Sequence, residues 1–159
     1  MTGPRIYPSS SLAGNRSRGR AATGVWAVLV ALWLTPAARA ADTAEVERAL
    51  LAGNYTAVIK QAAGELRDGA GNSEWSLLLV RALLAVGRNA DADKAMKEAI
   101  GRDARNIRLR WLARDVAFAN GRPEEALARI DEIRRSVRDS PWMYKAPADL
   151  VVFGRALMM

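Results

Sequence analysis

A chain of 159 residues that is 50% apolar and 26% charged has room for one globular domain plus processing signals, and it is too apolar to be disordered. It has no cysteine, which excludes disulfides and thiolate metal sites, and no histidine, the commonest general base and metal ligand. The formal charge of +7 invites a nucleic-acid partner, but residues 1–40 hold five arginines (Arg5, Arg16, Arg18, Arg20, Arg39) and no acid. Of the 24 basic residues 19 remain beyond them, against 17 acidic ones, so the basicity belongs to the leader and no nucleic-acid partner is expected.

The leader itself reads as an export signal. A basic, Pro/Ser/Gly-rich start precedes the apolar run Val25–Leu34; Thr35-Pro36 breaks that run, and Ala38-Arg39-Ala40 supplies the small-x-small pattern of signal peptidase sites. Residues 1–40 are therefore expected to be a signal peptide cleaved after Ala40, which sends the protein to the periplasm or outside the cell. Arginine outnumbers lysine 20 to 4, a bias of GC-rich bacterial genomes. The apolar run is short of the roughly 20 residues of a membrane span, so membrane contact is expected only if the segment stays uncleaved as an anchor.

Beyond the leader the chain repeats itself. Gly53, Gly87 and Gly121 stand 34 and 34 residues apart, each between two apolar stripes of helical spacing. Before Gly87, the residues Trp75, Leu78, Leu79, Ala82, Leu83 and Val86 mark one helix face; a shift of 34 gives Leu109, Leu112, Ala113, Val116, Ala117 and Asn120. After it, Ala92, Met96 and Ala99 shift onto Ala126, Ile130 and Ile133, whereas the first copy offers Val58 and Ala62 and then Glu65. Glycine suits each turn because the left-handed conformation costs little without a Cβ. Pro123 suits the first helical position after the third turn, and Glu124 and Glu125 sit at the positive end of that helix. A two-helix unit cannot bury both its stripes alone, so the units must stack.

A 34-residue period of helix–turn–helix units resembles the tetratricopeptide repeat. The turn glycines, Tyr55, the small residues Ala92, Ala99 and Ala126, and the string "GRPEEAL" carry the likeness. Trp75 and Trp111 stand in for the family's early aromatic residue at unequal distances, 12 and 10 residues before their glycines. The proline that ends typical units is absent at Ala70 and Ala104. The resemblance implies an all-α fold, a short right-handed α-solenoid of about three stacked hairpins. The expected units are residues 41–72, 73–106 and 107–140, with 141–159 either starting a fourth or capping the third.

The same resemblance implies function. Such arrays hold peptide segments or partner proteins in a concave groove lined by the first helix of each unit. Here the expected presenting faces are Glu74, Leu77 and Arg81, then Arg108, Trp111, Asp115 and Phe118. Arg81 and Arg108 suit partner carboxylates, Trp111 suits an aromatic anchor, and Asp115 completes a mixed surface. The run Arg102, Arg105, Arg108, Arg110 and Arg114 is broken by acids and is expected to be a solvated face with intrahelical pairing. "DGAGNSEW" lacks the Lys-Ser/Thr of a phosphate loop, and Asn72 or Ser73 is expected to cap the next helix. In "SPWMYK", Trp142 and Tyr144 are expected to plug the gap between the third unit and the last helix. Neighbouring carboxylates point in different directions on a helix, and no nucleophile stands near them, so no catalysis, cofactor or metal is expected. The readings that follow are a protein-binding adaptor, a structural segment ahead of an enzymatic domain, and a membrane-anchored assembly factor.

Overall fold

Three turn glycines with left-handed backbone organise the chain: φ is 82° at Gly53, 74° at Gly87 and 71° at Gly121. At each, the glycine N–H reaches back three residues, to the carbonyls of Leu50, Leu84 and Phe118 (3.0–3.1 Å). The N–H of the following residue reaches back five, to Ala49, Leu83 and Ala117, at 2.9 Å each time. This closure satisfies the last carbonyls of a helix, and repeating it makes three identical hairpins.

The computed structural model describes residues 35–69 and 72–159. The apolar run of the export signal and everything before it lie outside the described residues. Helix α1 spans Thr35–Leu51 and thus includes Ala38-Arg39-Ala40. The others are α2 (Tyr55–Arg67), α3 (Ser73–Ala85), α4 (Asn89–Arg102), α5 (Ile107–Ala119), α6 (Pro123–Asp139) and α7 (Pro147–Leu157), with a 3-10 turn at Pro141–Met143. Among the described residues all regular structure is helical, and none of these helices is long and apolar enough to cross a membrane.

Local chemistry sets the helix starts. The Asn72 side chain accepts the Glu74 N–H at 2.9 Å, and 34 residues on Asn106 accepts the N–H groups of Arg108 and Leu109 at 3.0 and 3.2 Å. Asn72 is thus the cap, while the neighbouring Ser73 hydroxyl donates to Asp103 at 2.7 Å. Pro123 occupies the first turn of α6, where its missing N–H breaks no bond.

Packing follows the logic of a stack. One core cluster joins Val46 of α1, Val58 and Ala62 of α2, and Trp75, Leu78 and Ala82 of α3. A second joins Leu77, Val80 and Leu83 of α3, Ala92, Met96 and Ala99 of α4, and Leu109, Leu112, Ala113 and Val116 of α5. The third joins Ile107 of α5, Ile130, Ile133 and Val137 of α6, Tyr144, and Val152 and Ala156 of α7. Each cluster thus ties one hairpin to the first helix of the next, the nearest-neighbour packing of an α-solenoid.

Two expectations are corrected here. Leu77, read as part of a presented face, is only 2% exposed because α3 is an inner helix with a neighbour on either side. Its stripe through Trp75, Leu78 and Ala82 packs backward, and Leu77 and Val80 pack forward onto α5. In "SPWMYK" the two aromatics divide: Tyr144 is buried and donates its hydroxyl to the Arg105 carbonyl at 3.2 Å, whereas Trp142 is 66% exposed.

Polar bonds link the hairpins as well. The Asn89 amide donates to the Ala119 carbonyl (2.9 Å) and the Asn120 amide to the Asn89 carbonyl (3.1 Å), joining adjacent turns. That explains why an asparagine interrupts the apolar stripe at position 120. Arg122 bridges Asp93 on the preceding hairpin and Glu125 on its own.

Candidate partner-binding groove

The first helices α3, α5 and α7 lie along one side of the stack and enclose a groove of about 340 Å³. Its walls are Arg81 from α3, Arg108, Trp111, Leu112 and Asp115 from α5, and Ala148, Val151, Val152 and Arg155 from α7. Arg81, Arg108, Trp111 and Asp115, read from the sequence as a binding set, thus meet in one cavity. Glu74 lies beside it as a partner of Arg108. Phe118 is 45% exposed and is not part of the wall. The turn residues Gly53, Gly87, Gly121 and Pro123 serve the hairpins and not the groove.

Sequence reading missed the contribution of α7. Its groove residues Ala148, Val151, Val152 and Arg155 fall at i, i+3, i+4 and i+7, one helix face. That spacing was the available signal, but the same helix carries other apolar residues that mask it.

The charges in the groove are unequal in what they can do. Arg108 holds Glu74 with both guanidinium nitrogens, one at 2.9 Å, across the 34-residue repeat boundary. The hydrogen bond from Glu74 raises the Arg108 pKa, outweighing partial burial, so this cation is fixed and already neutralised. Asp115 is held by Arg114, whose Nε donates at 3.0 Å, and the Arg114 guanidinium stacks on the Trp111 ring, 3.7 Å from its centroid. Trp111 is half-buried and packs against the third core cluster together with Phe153. Asp149, beside the groove on α7, has its pKa raised by burial, with Arg108 pulling the other way.

Two cations remain. Arg81 approaches Glu47 only to 4.0 Å, with both side chains about half exposed. Arg155, also exposed, has no hydrogen bond or ion pair within the described residues. The groove therefore offers an apolar floor of Trp111, Leu112, Val151 and Val152 between two guanidinium groups able to accept a new anion. The basic run from Arg102 to Arg114 also departs from expectation. It pairs between helices and not within one: Arg108 with Glu74, Arg110 with Glu132, and Arg102 with the buried Ser76 hydroxyl. The reason is geometric, since the acids that face these arginines lie on neighbouring helices of the stack.

Comparison with known proteins agrees with this architecture. The sequence profile of the tetratricopeptide repeat family matches residues 83–146, from the end of α3 to the residue before α7. The repeat array belongs to the tetratricopeptide repeat family. No curated protein matches the whole sequence. Among solved structures, the array is similar to the Yersinia enterocolitica type III secretion translocator chaperone SycD, in an alternative dimer. That similarity has a TM-score of 0.56 at 14% identity and covers 73% of this chain and 89% of the other. At that identity the likeness concerns the fold.

Proposed function

We propose that this protein is an exported, non-catalytic adaptor that binds a peptide segment of another protein in the groove of its tetratricopeptide repeats. The observation that carries this reading is the convergence of Arg81, Trp111 and Arg155 from three successive first helices on one open groove. The chemistry that fits is a segment bearing a carboxylate and an apolar side chain. The carboxylate meets Arg81 or Arg155, the two cations without a strong internal partner, and the apolar side chain lies on Trp111 and Val151. Arg108 and Asp115, already paired, hold the walls in shape. The solved relative is named as a translocator chaperone, a role in keeping with protein binding. Export rests on the leader: its basic start, the apolar run Val25–Leu34 and the Ala38-Arg39-Ala40 site. Units of residues 41–72, 73–106 and 107–140 follow from the turn glycines, and α7 then either starts a fourth unit or caps the third.

The test is selection from a displayed library of random peptides against the protein, followed by binding measured by fluorescence anisotropy. Selected peptides are expected to combine acidic with apolar residues, and Arg81→Glu with Arg155→Glu should abolish their binding while the helical circular dichroism stays unchanged. Peptides that bind the double variant as well as the native protein refute the assignment of the groove.

A further inference from the structure

Helix α7 is apolar on two opposite faces, and only one of them is used. Val152 and Ala156 are buried against α5 and α6, with Phe153 packed beside them. At 3.6 residues per turn the opposite side carries Leu150, Val151, Gly154, Leu157 and Met158. The four large side chains are 56%, 53%, 59% and 81% exposed, and no charged residue interrupts them. A helix apolar all round is a buried helix. The inner helix α3 shows what that requires in this protein, since its second face is covered by α5.

The spacing of the open face identifies what covers it. Counted from Gly154, the apolar side chains stand at minus four, minus three, plus three and plus four, so the face reads the same in both directions. A surface that receives an unrelated helix has no need of that symmetry; a two-fold axis does. We infer that α7 packs antiparallel against α7 of a second copy of this chain, about a two-fold axis at Gly154. Leu150 then lies on Met158 of the second copy and Val151 on its Leu157. Gly154 crosses its counterpart, where the absence of a side chain lets the two backbones approach closely. A Cβ built at Gly154 meets nothing within 4 Å in the single chain, so this glycine is not there to relieve internal crowding.

The pairing has a consequence for the groove. Ala148 and Arg155 flank the open face on the groove side of α7. A two-fold axis normal to the plane of the paired helices keeps that side common to both copies. The two grooves then open side by side, with both Arg155 groups near the axis, and one bound segment can reach across the pair.

The native sequence contains no cysteine, so an introduced one is the sole thiol. In the full chain under mild oxidation, Gly154→Cys is expected to give a covalent dimer on a non-reducing gel. Leu150→Cys should stay monomeric, because its counterpart lies about 12 Å away along the helix, beyond the roughly 4.4–6.8 Å that a disulfide spans. The double variant Leu150→Cys/Met158→Cys should link again. Sedimentation velocity should show the native chain as a dimer and Leu157→Glu as a monomer of unchanged helicity; Leu157 is exposed within one chain, so the fold does not depend on it. Failure of Gly154→Cys to link, equal linking at positions 150 and 154, or a dimer that survives Leu157→Glu each overturn the inference. The leader is present in every variant, so association through it does not follow this pattern.

Discussion

Replacing Leu77 by alanine tests whether the hairpins stack as described. Leu77 is 2% exposed and sits among Val80, Leu83, Met96, Leu109, Leu112 and Val116, the cluster that joins the second hairpin to α5. The change removes three carbon atoms from the core, worth about 2.4 kcal/mol at roughly 0.8 kcal/mol each. The space left between three helices collapses only partly, which takes the expected loss to about 3–4 kcal/mol, within the range of buried Leu→Ala changes. For a domain of ordinary stability that is a large fraction of the total. Urea denaturation followed by far-ultraviolet circular dichroism reads it directly: with a slope of about 1.5–2 kcal/mol per molar, the midpoint falls by about 1.5–2 M. The control is Leu127→Ala on α6, whose side chain is 56% exposed and which should change stability by no more than about 0.5 kcal/mol. Equal, small effects for the two variants would place Leu77 on a solvated face and refute the forward packing of α3 onto α5.

Other changes probe the links between hairpins and the turns within them. A double-mutant cycle of Glu74→Gln and Arg108→Gln should give a coupling of about 0.5–1 kcal/mol, since the pair crosses the repeat boundary but keeps 38% and 28% of its side chains exposed. A coupling indistinguishable from zero in urea melts would show that the pair does not join the repeats. Gly87→Ala should destabilise by about 1–2 kcal/mol because φ there is 74°, whereas Gly64→Ala in the open middle of α2 should stabilise by about 0.5–1 kcal/mol; thermal melts that rank the two the other way contradict the turn geometry. Asp93 tests a polar link by pH: burial opposes its ionisation, but hydrogen bonds from Lys97 and Arg122 outweigh that and hold its pKa below the ordinary 3.8. The stability it supplies is present above the unfolded-state value and is lost as the pH falls through the lower folded-state value. Asp93→Asn should therefore lower the urea midpoint at pH 7, and the gap should close in acid; a gap that does not change with pH would assign the effect to something other than the charge.

Much of the fold was legible because a repeat states its own grammar more than once. A single glycine after an apolar stripe is ambiguous, but three at a 34-residue period fix the hairpins, and the shifted stripes give the face by which each hairpin closes. Asn72 and Asn106 repeat the helix start in the same way. What a stripe cannot report is a second packing face. Periodicity assigns a helix one apolar side, and α3 has two, so Leu77 and Val80 read as outward although both are buried. Asn120 shows the converse, a polar residue in an apolar stripe whose bond to Asn89 exists only once two turns stand side by side.

The groove was half legible for a related reason. Each first helix displays its groove residues at helical spacing, which is why Arg81, Arg108, Trp111 and Asp115 could be chosen before any geometry was known. Their electrostatic state could not. Arg108 and Glu74 are 34 residues apart, outside any local pairing rule, and only stacking turns Arg108 from a free cation into a closed pair. Arg114, on the same run, is spent on Trp111 and Asp115. The cations left to meet a ligand are those whose side of the stack has no acid opposite, Arg81 at one end of the groove and Arg155 at the other. In a solenoid the acids and bases of successive units cancel wherever units touch, so uncompensated charge survives at the open groove and at the last helix. Arg155 lies where those two surfaces meet.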